Sequence, residues 1–147
     1  MIALLDVSVL LALFDDGHSG HQAAHDWFAE QGAQGWASCP ITENGVLRVL
    51  GNPAYPAGFT PIAEMAARLD TFCAATEHHF WPDDISFRNR AHFQVDAVRG
   101  YRQLTDVYLL ALAVQRGGRF VTLDQRVSIA AVKGATRASL EVVGAAE

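Results

Sequence analysis

Residues 102–126 read RQLTDVYLLALAVQRGGRFVTLDQR. Val107 to Val114 is apolar or aromatic throughout, and a second apolar run, Phe120 to Leu123, follows the Gly117-Gly118 break. A carboxylate stands at each outer edge, Asp106 and Asp124. The first run predicts a helix over 106–116, about 16 Å long. The second predicts a strand over 119–123, also about 16 Å. A tight glycine turn between them sends the strand back along the helix. Asp124 therefore returns to the end of the domain where Asp106 lies.

Working outward, the remainder alternates in the same way. IALL (2–5) predicts a first strand, followed by a helix over 8–14. A helix over 19–31 places Ala23, Ala24, Trp27 and Phe28 on one face and stops at Gly32. GWAS (35–38) predicts a second strand, with a helix from Pro40 to Leu50 after it. The Pro- and Gly-rich residues 52–61 predict a loop. Thr60 is expected to cap a helix from Pro61 to about Ala75. HFW (79–81) predicts a third strand, and residues 87–95 a short helix. A small helix over 126–132 and a last strand over 139–143 complete the chain. Apolar strands alternating with helices indicate an α/β fold, with a mainly parallel sheet covered on both faces. The 147 residues are expected to form one domain, 1–147.

Composition narrows the function. Half of the residues are hydrophobic, which excludes disorder, and a net charge of −5 argues against nonspecific coating of nucleic acid. Ten of the eleven basic residues are arginine, a type suited to bidentate phosphate contacts, with Lys133 the lone lysine. Cys39 and Cys73 form no CxxC pair, so the reducing cytoplasm is the expected compartment. The apolar N-terminus lacks a basic flank, is interrupted by Asp6 and is too short to span a bilayer; no membrane association is expected.

Sites in open parallel sheets lie at the carboxyl ends of the strands. Asp6 ends the first predicted strand as Asp124 ends a later one. Glu43 stands in the first turn after the second strand. Four acids, Asp6, Glu43, Asp106 and Asp124, are thus expected to converge. Each has a plain structural reading: Asp106 and Glu43 suit a helix N-terminus, and Asp124 could cap the next turn. Asp6, between apolar runs, is harder to explain as a solvated side chain. Two carboxylates about 4 Å apart repel by about 4 kcal/mol at an effective dielectric of about 20, so a cluster implies a cation. Oxygen-only donors point to Mg²⁺ or Mn²⁺, ions that support phosphoryl chemistry by activating water and neutralising charge. Ser8 either steadies Asp6 or a bound water, or caps the helix after it.

Three segments, LLDVSVLLALF, ITENGVLRVL and QLTDVYLLALAVQRGGRFVTLD, together resemble the PIN-domain nucleases, in particular the VapC toxins of bacterial toxin–antitoxin pairs. HQAAHDWF resembles the second helix of that group, and the resemblance runs from residue 2 to about 143. It implies catalytic, metal-holding roles for Asp6, Glu43, Asp106 and Asp124, with Mg²⁺ or Mn²⁺ as cofactor. It further implies an endoribonuclease that hydrolyses RNA through activated water, leaving 5′-phosphate and 3′-hydroxyl ends. A homodimer and a small cognate antitoxin of the VapB kind are implied as well. The chain departs from many relatives in having Ser8 for Asn and Tyr101 for His.

Arg48, Arg99, Arg102 and Arg126 are candidates for RNA phosphate contacts, against the plain reading of a solvated face. His18, His21 and His25 could suggest zinc, but without a fourth ligand a surface helix explains them. Trp27, Phe28, Trp36, Phe72 and Trp81 are expected in the core or a dimer surface. Ile62, Met65, Ala66 and Leu69 could seat an antitoxin helix, with core burial as the default. Two other classes stay in view. One is a PIN-fold binding module acting through its antitoxin complex in DNA-bound autoregulation. The other is an aspartyl-phosphate protein. The haloacid-phosphatase form of that chemistry uses DxD, where this chain has Ser8. Receivers need an acid pair near the first strand, and Asp15-Asp16 lie too far on.

Overall fold

The computed structural model describes residues 1–144. Five strands form one parallel sheet: β1 (Ala3–Leu5), β2 (Trp36–Ser38), β3 (His78–Phe80), β4 (Arg119–Thr122) and β5 (Leu140–Val142). Their order is β3-β2-β1-β4-β5. Five α-helices accompany them: α1 (Val7–Phe14), α2 (His21–Glu30), α3 (Pro40–Leu50), α4 (Ile62–Ala75) and α5 (Leu104–Gln115).

Side chains of a strand alternate between faces, and both faces here are apolar. Ala3, Leu5 and Val121 pack with Val9 and Leu10 of α1, Trp27 of α2, Val46 of α3, and Met65 and Leu69 of α4. Leu4, Ala37 and Phe120 look the other way, onto α5, Trp81, Phe93 and Val132. α5 is buried continuously from Val107 to Ala113, as its apolar circumference requires. The expected helices on both faces are present, and the aromatic residues expected inside are there: Trp27, Trp36 and Trp81 are buried, while Phe28 packs edge-on and Phe72 tilted against Trp36. Ala23, placed by periodicity on the inner face of α2, is exposed, as are Ile62 and Ala66 of α4.

The turn from α5 to β4 works as its glycines require. Gly117 has φ +69°, in the region that favours glycine. A Cβ on Gly118 would run into the Ile2 carbonyl and the Trp81 ring. That close approach lets Arg119 N donate to Ile2 O at 2.9 Å and begin the β1–β4 pairing.

Three local expectations fail, two of them because side chains compete with the helix for backbone hydrogen bonds. Residues 87–95 form turns instead of a helix, because Ser86 Oγ accepts from Arg88 N and Asn89 Oδ1 from Ala91 N. The helix over 126–132 shrinks to one 3₁₀ turn, Ile129–Ala131, capped by Ser128. Thr60 does not cap α4; its N–H donates to Leu50 O, and the helix begins one residue beyond Pro61. The 82–98 segment still reaches the core through Phe93, which bridges to Val132.

Candidate active site: an acidic crevice beside the central strand

From β1 the chain moves outward to β2 and β3, then returns across β1 to β4 and β5. The connections leave β1 and β4 in opposite directions. The crevice at their carboxyl ends is the position where open α/β sheets keep their sites. Asp6 and Asp124 flank it.

Asp6 is the N-cap of α1 and only 9% exposed. Its Oδ1 accepts from Val7 N at 2.8 Å. Its Oδ2 accepts from Ser8 Oγ at 2.8 Å and Thr122 Oγ1 at 2.7 Å. Ser8 therefore steadies Asp6, and the capping role belongs to Asp6 itself. Ser8 Oγ also accepts from Leu123 N at 3.1 Å, while Thr122 Oγ1 accepts from Asp124 N at 3.1 Å. This web stitches β1 to the end of β4. An ionised carboxylate offers about four acceptor positions, so these bonds leave Asp6 roughly one, on Oδ1.

Asp106 stands in the first turn of α5, half-buried. Burial pushes its carboxyl up to about 6, with the negative charges of Asp6 and Asp124 adding to the shift and Arg126 opposing it. Asp124 is held the other way. Its Oδ1 accepts from Arg126 N at 2.8 Å and Arg126 Nε at 3.1 Å, which lowers its pKa. A cleft of about 310 Å³ opens from these two acids and is lined by Arg99, Tyr101, Arg102, Gln103 and Arg126.

Glu43 does not join them. Its Oε2 accepts from Ser38 Oγ at 2.6 Å, and Ser38 Oγ also meets His78 Nε2 at 2.8 Å. Glu43 lines a separate cleft with Asp70, Cys73 and His78, and together with burial it raises the Cys73 thiol to about 11. Glu43 does lie at the expected end of the sheet. However, Ser38 pairs beside Leu5 and shares its face, whereas Asp6 lies on the other, and α3 packs on the Leu5 side. What α3 offers near the acids is Asn44 and Arg48, in a cleft with Val7, Asp83 and Thr105. Gly45 makes this possible: a Cβ there would strike the Val7 side chain.

Of the basic candidates, Arg99, Arg102 and Arg126 line the acid cleft and Arg48 the neighbouring one. Thr122, which bonds both Asp6 and Asp124, is the member of this web that sequence reading missed. Its signal was available, since it stands two residues before Asp124 on a strand paired with β1. Among the histidines, His18 Nδ1 accepts from Gly20 N, and His21 Nδ1 meets Ala12 O at 2.7 Å. Among the described residues, no three His, Cys, Asp or Glu side chains stand close enough as arranged to share an ion. At the acid crevice the reason is visible in Arg126, which holds Asp124 aside. The donor chemistry nevertheless fits a hard divalent cation: oxygen ligands only, and a carboxyl driven up by burial and by its neighbours' charge.

A single parallel sheet with its acids at the β1–β4 crevice defines the class, and residues 3–133 match the PIN domain: the chain belongs to the PIN-domain family, in its VapC group. It is 45% identical over 143 residues to Ribonuclease VapC44 of Mycobacterium tuberculosis, covering 95% of this chain and 98% of that protein. It is 40% identical over 134 residues to Ribonuclease VapC39 of the same organism, covering 91% and 96%. The fold is similar to the crystal structure of the M. tuberculosis sarcin-ricin loop cleaving toxin VapC20. That likeness has a TM-score of 0.57 at 16% identity and covers 80% of this chain and 85% of that one. It is also similar to VapBC2 of Rickettsia felis bound to a DNA fragment from its promoter (TM-score 0.51, 12% identity, 86% and 90% covered). Among the described residues, no helix is long and apolar enough to cross a membrane.

Proposed function

We propose that this chain is a divalent-metal-dependent endoribonuclease, the toxin of a toxin–antitoxin pair. The observation that carries the reading is the gathering of Asp6, Asp106 and Asp124 at the mouth of an arginine-lined cleft, where burial, and after it the charges of Asp6 and Asp124, hold the Asp106 carboxyl up to about 6. Kinship with proteins named as VapC ribonucleases supports the choice of RNA.

In this reading Asp6 and Asp106 hold the ion, and Asp124 completes the set when Arg126 turns to substrate phosphate. Asp6 and Asp106 would hold a Mg²⁺ or Mn²⁺ ion, which would acidify a water and offset the charge that develops on the phosphoryl oxygens. The chain's own residues do the rest. Ser8, Thr122 and Val7 N fix the Asp6 carboxylate, so that it need not reorganise during the reaction. Arg99, Arg102 and Arg126 position the phosphates. Addition of water to phosphorus breaks the bond to O3′, giving 5′-phosphate and 3′-hydroxyl ends. Glu43, bonded to Ser38 through Oε2 and lining a different cleft, is given a role secondary to that of the three aspartates.

The proposal extends to a cytoplasmic homodimer neutralised by a VapB-like antitoxin. The likeness to a VapBC complex carried on promoter DNA favours a second role, autoregulation through that complex. One experiment separates the two. The purified chain is incubated with RNA in Mg²⁺ or Mn²⁺, with EDTA as control, and 5′-phosphate ends are sequenced. Ion-dependent cuts that vanish in Asp6→Ala and Asp106→Ala support the nuclease. Equal cleavage by these variants, or none by the wild type, leaves the binding-module reading.

A further inference from the structure

We propose that Tyr101 is a stacking platform for one unpaired base of the RNA, lying beside the nucleotide that is cut. The proposal rests on the ribonuclease reading above and names the form of RNA that the cleft accepts. Tyr101 is 76% exposed, the most exposed aromatic residue among the large hydrophobics at the surface. It is not a loose side chain. The Arg102 guanidinium lies over its ring, 5.6 Å from the centroid, and Arg102 Nε donates to its hydroxyl at 3.1 Å. A phenol backed by a guanidinium presents a stiff flat surface beside a fixed positive charge, the combination that holds bases and backbone together in single-strand binders.

Its position gives the platform a function. Tyr101 and Arg102 share the 310 Å³ cleft with Asp106 and Asp124, so the ring and the acids face one space. Tyr101 begins the 3₁₀ turn that leads into α5, five residues before Asp106. At the rise of such helices this is roughly 8 Å, which sets the ring beside the reacting phosphate and not upon it. Gln103 Oε1 accepts from Arg99 N at 3.3 Å, which leaves its amide N–H groups free to meet a base edge. A base in a duplex has both faces covered and cannot enter such a cleft. The base that Tyr101 stacks is therefore an unpaired one.

The test uses the full chain carrying Asp106→Asn, so that binding is read without cleavage. Its affinity is measured for a short single-stranded RNA and for a blunt duplex of the same sequence. The measurements are repeated with Tyr101→Phe and Tyr101→Ala added. The expected result is a preference for the single strand, no more than a small change for Tyr101→Phe, and a loss of about tenfold for Tyr101→Ala. Fluorescence of a 2-aminopurine placed along the strand should be quenched at one position, and recover in Tyr101→Ala. Unchanged affinity and quenching in Tyr101→Ala would overturn the platform and assign the exposed ring to a protein partner. Equal binding of the duplex would overturn the unpaired-base requirement. Either result leaves the nuclease reading standing if the wild type still cuts RNA. Absence of cutting by the wild type, with the stack intact, would overturn the nuclease reading alone.

Discussion

Two polar clusters sit at the carboxyl end of this sheet, and they are built differently. Around β1 and β4, Asp6, Ser8, Thr122 and Asp124 form one hydrogen-bonded web, with Asp106 close enough to feel their charge. Around β2 and β3, Glu43 and His78 close on Ser38 and look toward α4. Both lie at the same height on the sheet. What separates them is the face of the sheet on which each lies, that of Phe120 and Thr122 for the first and that of Leu5 for the second. The first cluster leaves its acids in mutual repulsion, which a cation would relieve. The second gives its acid a hydroxyl donor at one oxygen, Oε2.

The largest effect that tests this contrast is on cleavage. Asp6→Ala and Asp106→Ala should each lower ion-dependent RNA cleavage by about 10²–10³-fold or more. Glu43→Gln should lower it far less. Initial rates in saturating Mn²⁺ measure all three, and a Glu43→Gln loss as deep as that of Asp106→Ala would merge the clusters into one site.

Next in size is the anchor itself. Thr122 is fully buried, and its hydroxyl serves both Asp6 and Asp124. Thr122→Val should destabilise the fold by about 1–3 kcal/mol, since it strips a donor from a buried carboxylate. It should also slow cleavage more than Ser38→Ala does. Urea denaturation and rates measured side by side check this; equal effects would show that both hydroxyls are merely structural.

A smaller effect concerns pH without metal. The Asp106 pKa is about 6 in the fold against 3.8 for the ordinary group. Below pH 4 both states are protonated and the site has no penalty. As pH rises toward 6 the folded state holds the extra proton, so stability falls, and above 6 the full penalty applies. Asp106→Asn should therefore raise the melting temperature in EDTA at pH 7.5, with the gain vanishing at pH 4. A lower melting temperature at pH 7.5 would count against crowding.

The smallest expected change belongs to Arg126, which is almost free in solvent apart from its grip on Asp124. Arg126→Ala should leave stability within about 0.5 kcal/mol, as surface substitutions do. It should nonetheless weaken RNA binding at low salt.

Much of this was legible in the sequence, for identifiable reasons. The apolar runs at 107–114 and 120–123 with a glycine turn between them fixed the reversal that brings Asp106 and Asp124 together. The parallel sheet then followed from apolar strands with helices between them. Less legible was anything that depends on rotation about an axis. Glu43 lies at the end of the sheet where it was expected, but helix position does not reveal which neighbour a carboxylate will bond, here Ser38. Residues 87–95 misled because Ser86 and Asn89 turn the backbone locally, at a cost to the helix that an apolar count does not register. Thr122 escaped notice because a threonine inside a strand looks like β-propensity. Only the register, with Leu5 beside Val121, makes it the partner of Asp6.

The most direct test of the central claim is a calorimetric titration of Mn²⁺ into the metal-free chain, run at pH 7.5 and at pH 6. The account predicts saturable binding that releases protons at pH 6, is abolished by Asp106→Asn and survives Glu43→Gln. Binding that survives Asp106→Asn and disappears in Glu43→Gln would contradict it.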